Sequence, residues 1–185
     1  MSTEHPSDDA IASKLKAFQG LFLRWNERIN LSAARTPAEL AEHIQDCLSV
    51  VDVLRPCKRV LDVGSGGGLP VVVAAISLPE TQFVALEPVH KKHAFLRTAA
   101  RELELANLEA FAKRLDDHDD HDYDAATSRA TFDLPTWLDL GLQHVRTGGF
   151  VVGFEAQRRT DLPATIRRIP YGAAKSRALI ILDKP

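Results

Sequence analysis

The sequence predicts an α/β fold: a mostly parallel sheet with an antiparallel C-terminal strand, behind a two-helix N-terminal cap. Three observations carry that expectation. From residue 59 onward, apolar runs of strand length alternate with helix-length segments, the rhythm of right-handed βαβ crossovers. The run Arg59-Val60-Leu61-Asp62-Val63 ends in the cluster Gly64-Ser65-Gly66-Gly67-Gly68 before Leu69-Pro70, as where a buried parallel strand turns into a helix over a ligand. Glu87 then closes the next strand-like run, 23 residues after Gly64. An acid at about that spacing suits a ribose diol.

Each element can be justified in order. Ile11, Leu15, Phe18, Phe22, Trp25 and Ile29 recur at steps of three and four, one face of an amphipathic helix over 8–29. Ser7 suits its cap, with Asp8 and Asp9 in the first turn. A loop over 30–37 leads to a second helix over 38–54, with Leu40, Ile44, Cys47, Leu48 and Val51 inward and Pro56 closing it. Strands are expected at 59–63, 82–86, 108–112, 124–128 and 149–154, and helices between them at 69–78, 89–105 and 134–146. Pro70 suits the first helical turn because its missing N–H is not needed there. Residues 177–183 read as a last strand, and Pro163, Pro170 and Gly172 before it suggest a short helix and an antiparallel return. No repeat or linker interrupts the pattern. One domain over 1–185 is expected, with a helical cap over 1–57 and the cofactor-binding sheet over 58–185.

The 45% hydrophobic and 26% charged fractions fit an ordinary soluble domain. The first ten residues are polar and acidic, so no secretory signal is expected. Val71 to Leu78, the longest apolar stretch, is far short of the roughly 20 residues of a membrane span. Cys47 and Cys57 lack metal-ligand spacing and are expected reduced, in the cytoplasm. A net charge of −2 exerts no global pull on nucleic acid. Locally, six aspartates crowd residues 116–124, while residues 158–185 hold seven basic residues against two acidic ones. Such a basic segment is either a phosphate-contacting patch or a solvated surface.

The glycine loop admits more than one ligand. A dinucleotide site calls for G-x-G-x-x-G, but here Leu69 stands at the third glycine and Asp62 leads the loop. A purely structural turn would leave Glu87 unexplained. An acid-leading G-x-G loop followed by a ribose-binding acid resembles the S-adenosylmethionine site of class I methyltransferases.

Further motifs sharpen the resemblance. Trp25-Asn26-Glu27-Arg28-Ile29-Asn30-Leu31-Ser32-Ala33-Ala34-Arg35, His43-Ile44-Gln45-Asp46-Cys47-Leu48, Val60 to Pro70, Lys91-Lys92-His93-Ala94-Phe95-Leu96-Arg97 and Thr127-Ser128-Arg129-Ala130 occur in this order. Together they resemble the RsmG (GidB) family of small-subunit ribosomal RNA methyltransferases, over about residues 20–130. The resemblance implies a Rossmann-like class I fold and a cytoplasmic bacterial enzyme. Its activity would be methyl transfer from S-adenosyl-L-methionine to N7 of a guanosine in the 530 loop of 16S rRNA. A monomer is expected, partnered by 16S rRNA or the small subunit.

By position, the resemblance implies that Gly64, Gly66 and Leu69 flank the methionine part of the cofactor. Glu87 would hold the ribose, Leu115 and Asp116 the adenine, and Arg129 would line the site near the methyl. Arg28, Arg35 and His43 are the candidate RNA contacts, with Arg24 and the C-terminal arginines beside them. His43 and Asp46 share a helix face and either meet RNA or tie the cap to the sheet. Guanine N7 carries a free lone pair at neutral pH, so no side-chain nucleophile, base or metal is expected; His118 and His121 are the weak metal candidates. Two positions depart from the family pattern: Val71 follows Leu69-Pro70 where glycine is usual, and Phe154-Glu155-Ala156 stands where a Lys-Gly pair usually ends the fifth strand. A glutamate there would alter the active face. The alternatives are a methyltransferase on another substrate and a cofactor-binding module without catalysis.

Overall fold

The computed structural model describes residues 7–172 and 176–185. Helix α1, Asp8–Ile29, begins where Ser7 Oγ accepts the Ala10 N–H at 3.3 Å, with Asp8 and Asp9 complementing the helix dipole. It ends at Asn30, whose φ of 53° turns the chain left-handed. Helix α2, Pro37–Leu54, opens on a reciprocal cap. Thr36 Oγ1 accepts the Glu39 N–H, and the Glu39 carboxylate accepts the Thr36 N–H.

Strands β1 (Arg59–Val63), β2 (Gln82–Leu86), β3 (Leu108–Phe111), β4 (Tyr123–Ser128), β5 (Val145–Glu155), β6 (Arg167–Tyr171) and β7 (Arg177–Asp183) form one sheet in the order β3-β2-β1-β4-β5-β7-β6. β1 to β5 are parallel, with Asp62 opposite Ala85 on one side and Thr127 on the other. β7 lies antiparallel between β5 and β6. The chain winds outward from β1 to β3 and then crosses to β4, so the strand order reverses between β1 and β4. Ligands of open sheets gather at the carboxyl ends of the strands beside such a switch point.

Helices α3 (Val71–Ser77), α4 (His90–Glu102) and α5 (Leu134–Leu142) complete the fold. The two faces of the sheet are covered unequally. Phe18, Phe22, Val72 and Phe95, from α1, α3 and α4, pack with Val60, Phe83, Ala125 and Val152 on one face. Trp137 and Leu138 of α5 pack with Leu61, Val84, Ala126 and Val151 on the other. Burial on both faces explains why the central strands read as nearly continuous apolar runs. The rings of Phe18, Phe22, Trp25 and Phe95 meet with centroids 5.6 to 6.4 Å apart and hold the cap on α4. A methyl group at Gly67 would come within 2.6 Å of the Phe22 ring. The cap therefore rests directly on the glycine loop.

Three elements depart from the sequence expectation. The short helix expected before the last strand is replaced by β6. Ile169 and Tyr171 favour extended backbone, β7 offers it a partner, and Pro170 is tolerated because β6 is the outermost strand. Helix α5 stops at Leu142, not 146, because Val145 already pairs with Tyr123; β5 then bulges before pairing resumes at Ala125 and Phe150. Pro70 follows a cis peptide bond and caps α3 from outside its first turn, so that helix starts at Val71.

Candidate active site

The carboxyl ends of β1, β2 and β4 bring three loops together. After β1, the Gly64 and Ser65 N–H groups donate to the Leu86 carbonyl at 2.9 and 3.1 Å, folding the glycine loop over the end of β2. Gly66 has a φ of 53°, a backbone that side chains adopt only at a cost. Open space lies beyond it, with no heavy atom closer than 3.7 Å to where a Cβ would stand. Its N–H donates to Glu87 Oε2 at 2.8 Å, and the Val89 N–H donates to Oε1 at 2.8 Å. Glu87 is thereby locked in orientation and buried. An ionised carboxylate offers about four acceptor sites, so each oxygen keeps capacity for a further donor.

A cleft of 480 Å³ opens above these loops, lined by Gly64, Gly66, Leu69, Glu87 and Arg129 and, from the cap side, by Leu31, Ser32 and His43. A second, of 190 Å³, is lined by Lys113, Leu115, Asp116 and Phe132. Gly64, Pro88 and Thr131 line both, so the two make one groove over the switch point. All seven residues expected at the cofactor line it. Clefts of 510 and 580 Å³ elsewhere share none of them. Convergent polar groups, not volume, mark the site.

Of the expected RNA contacts, the structure brings only His43 into the groove. Arg28 stays exposed in the last turn of α1. Arg35 donates to the Ser32 carbonyl at 2.5 Å and to Asn30 Oδ1 at 2.9 Å, clasping its own loop. Asn26 completes that clasp from the core. Its Nδ2 donates to the Ala34 carbonyl at 2.6 Å, and its Oδ1 accepts the Leu31 and Ser32 N–H groups at 2.6 and 3.0 Å. The Asn-to-Arg motif of the sequence is therefore a device that presents Leu31 and Ser32 to the groove.

Beneath the loops lie polar groups that protein atoms leave unsatisfied. Asp62 is 1% exposed; Oδ1 accepts the Thr127 hydroxyl at 2.6 Å, while Oδ2 has no partner. Burial pushes this carboxyl up to about 6. His43 Nδ1 is also buried without a partner, and burial, then Arg129, holds its imidazolium below the ordinary range, so the ring is neutral at pH 7. Arg129 Nη1 donates to Cys47 Sγ at 3.1 Å, but burial pushes that thiol up to about 12, leaving Arg129 facing an uncharged neighbour. Ala130 has a φ of 57°, the kind of strain that collects at ligand sites. Asp46 pairs with Arg177 on β7. Asp46 thus ties the cap to the sheet, while His43 faces the groove.

The glutamate that stood out in β5 is electrostatically closed. Burial alone would raise the Glu155 pKa, but Arg168, at 2.8 and 2.9 Å, and the Arg159 N–H, at 2.8 Å, bring it below the ordinary range. Most of the described basic C-terminal residues are equally committed: Arg159 bonds Asp133 and Asp161, and Arg167 bonds Asp183. His118 donates or accepts with the Tyr123 hydroxyl at 2.8 Å, and His121 stacks on His144, both at the opposite edge of the sheet. Sequence reasoning missed Thr131, which covers Gly64 and offered no signal, and the unpaired Asp62 oxygen. An acid ending a buried apolar strand was the available signal for Asp62.

A family model described as GidB, rRNA small subunit methyltransferase G, matches residues 11–168. The chain belongs to the GidB family. Relatives in this family include the ribosomal RNA small subunit methyltransferase G of Bordetella avium, 40% identical over 82% of this chain and 72% of that protein. The protein of the same name from Wolinella succinogenes is 33% identical over 85% of this chain and 82% of its own length. Among solved structures, a methyltransferase from Geobacter sulfurreducens superposes with a TM-score of 0.66 at 13% identity, over 99% of this chain and 93% of that one. An RNA methyltransferase from Salinibacter ruber, solved with S-adenosyl-L-homocysteine, gives 0.59 at 20% identity, over 77% and 90%. At such identities these two speak for the fold alone: this GidB-family chain has the class I methyltransferase architecture. No helix among its described residues is long and apolar enough to cross a membrane.

Proposed function

We propose that the chain transfers a methyl group from S-adenosyl-L-methionine to 16S ribosomal RNA, at N7 of a guanosine in the 530 loop. The observation that carries this reading is the Gly66–Glu87 hydrogen bond at the mouth of the groove. It places an open left-handed glycine beside a locked carboxylate, within a chain of the GidB family. The residues fit the cofactor. Glu87 has acceptor capacity for the ribose hydroxyls, Leu115 and Asp116 would hold the adenine, and Gly64, Gly66 and Leu69 would flank the methionine part. Bound there, the cofactor supplies a methyl group on a sulfonium, open to in-line displacement.

The chain's own contribution is position and exclusion of water. A guanine N7 lone pair needs no proton removed, so no residue has to act as base, and a neutral His43 suits a role in orienting the nucleobase. Arg129, which donates to an uncharged thiol, would line the site near the reacting methyl. Correct placement alone supplies up to roughly 7–11 kcal/mol of a barrier. The unstacked loop base must enter between the cap residues Leu31, Ser32 and His43 and the end of β4. The cap over 1–57 and the sheet over 58–185 would act together as one catalytic domain, monomeric and cytoplasmic. Incubating the protein with small subunits lacking the modification and labelled cofactor tests the reading: label should map to a guanosine of the 530 loop. Cofactor binding without transfer to any ribosomal substrate, or transfer to small molecules or protein only, would replace it.

A further inference from the structure

The cations of this chain divide into two populations. Among the described residues, most of those in the C-terminal segment and at the amino edge of the sheet are paired: Arg59 with Asp120, Arg146 with Asp124, Arg167 with Asp183, Arg168 with Glu155. Others have no hydrogen-bonding or carboxylate partner among the described residues, and Arg28, Lys91 and Lys92 are three of these. These three lie at one place. Trp25 and Phe95 meet with ring centroids 5.6 Å apart. Arg28 stands one turn beyond Trp25 on α1, and Lys91 and Lys92 stand one turn before Phe95 on α4. Both turns point toward the groove, because Leu31 follows α1, Glu87 to Val89 precede α4, and Lys92 itself lines the cleft. At the amino edge, by contrast, Asp120, Asp124 and Asp183 are neutralised by Arg59, Arg146 and Arg167.

Paired cations have already exchanged water for a carboxylate and have little left to offer a phosphate. Unpaired ones release counterions when they meet one. We propose that ribosomal RNA is held through its phosphates along the rim formed by Arg28, Lys91 and Lys92, on the β1–β2 side of the groove, and not by the C-terminal arginines. This deepens the RNA methyltransferase reading above and rests on it.

The test is methyl transfer to unmodified small subunits at salt concentrations between about 50 and 200 mM, with calorimetric cofactor binding as a separate readout. In the variant R28E/K91E, KM for subunits should rise about tenfold or more near physiological salt. The slope of log affinity against log salt should shrink by about 0.7–0.9 for each phosphate that the variant no longer neutralises. Its kcat should stay within about twofold, and its cofactor affinity should be unchanged. The charge-keeping variant R28K/K91R should behave as wild type, and so should R167E. Wild-type KM and salt slope in R28E/K91E would overturn the rim. So would a larger KM effect in R167E, or a KM rise seen on whole subunits but not on naked 16S rRNA, which would assign the rim to a ribosomal protein. Wild-type protein that binds cofactor but methylates no subunit would remove the rim together with the reading it rests on, whereas an active wild type with an unaffected R28E/K91E removes the rim alone.

Discussion

At the amino edge of the sheet, Arg59 pairs with Asp120 and covers the Tyr123 ring at 4.4 Å, Tyr123 meets His118 at 2.8 Å, and His121 stacks on His144 at 4.9 Å. At the carboxyl edge, about one strand length away, Asp62 Oδ2 and His43 Nδ1 have no partner and Ala130 is held left-handed. Both edges carry acids, histidines and arginines. At the amino edge they answer one another, and at the carboxyl edge two are left waiting. A buried polar group without a partner costs roughly 1–3 kcal/mol, so leaving two at one place points to a ligand that completes them. Satisfaction marks the edge that stabilises, and its lack marks the edge that works.

The largest effects should come from breaking the carboxyl edge. Replacing Glu87 with alanine removes the acceptors expected for the ribose and releases the Gly66 and Val89 N–H groups. Cofactor affinity, read by calorimetry, should fall by about 3 kcal/mol, as when charged hydrogen bonds are removed. Unchanged affinity would show that Glu87 is a structural brace like those of the amino edge. Asn26→Ala should cost about 3 kcal/mol of unfolding free energy in urea titrations, because the Leu31 N–H and the Ala34 carbonyl lose a buried partner. The same variant should lose methyl transfer even where it remains folded, since the loop carrying Ser32 to the groove is no longer held.

The next contrast is in pH. The folded-state pKa of Asp62, about 6, lies above its ordinary 3.8, so the native state binds more protons between those values. That contribution is complete below about pH 4 and is lost as pH rises through 6. His118 and His144 move the other way: burial lowers both from 6.5, so their contribution is complete above that value and is lost as pH falls. Asp62 and the two amino-edge histidines therefore tilt stability in opposite directions across mildly acidic pH, while His43, lowered by burial, tilts with the histidines. Asp62→Asn keeps an acceptor for Thr127 and removes the first tilt. It should gain about 2 kcal/mol relative to wild type at pH 8 and melt earlier on acidification. His144→Gln should soften the acid loss. Parallel Tm profiles for wild type and Asp62→Asn would mean that Asp62 keeps its ordinary pKa on folding and sets no contrast with the amino-edge histidines.

What the sequence reveals follows the same division. The strands, the glycine loop and the acid after β2 are legible because each is local: periodicity, a turn and a spacing. All seven residues expected at the cofactor line the groove for that reason, each following the carboxyl end of a strand. Partnership between distant residues is not local. Glu155 reads as a misplaced charge until Arg168 arrives from β6, and nothing in the sequence near Arg35 shows that it clasps its own loop. The basic C-terminal segment is the clearest case, because composition counts charges and only the fold decides which of them are already paired. The edge strand β6 was illegible too, since its extended form depends on β7 lying beside it.

The smallest prediction bears on that last point. Arg167 and Asp183 form a two-pronged pair at 2.7 and 2.9 Å, yet both side chains are more than half exposed. Exposed pairs contribute about 0–1 kcal/mol because water and salt compete for both charges. Arg167→Ala should thus change the urea midpoint of unfolding barely measurably, and 1 M salt should erase what difference there is. A loss well above 1 kcal/mol would mean that the pair pins β6 to the sheet rather than decorating it. Pairing at the amino edge would then be part of what holds the fold, and the contrast between the edges would rest on cooperative networks rather than on single satisfied groups.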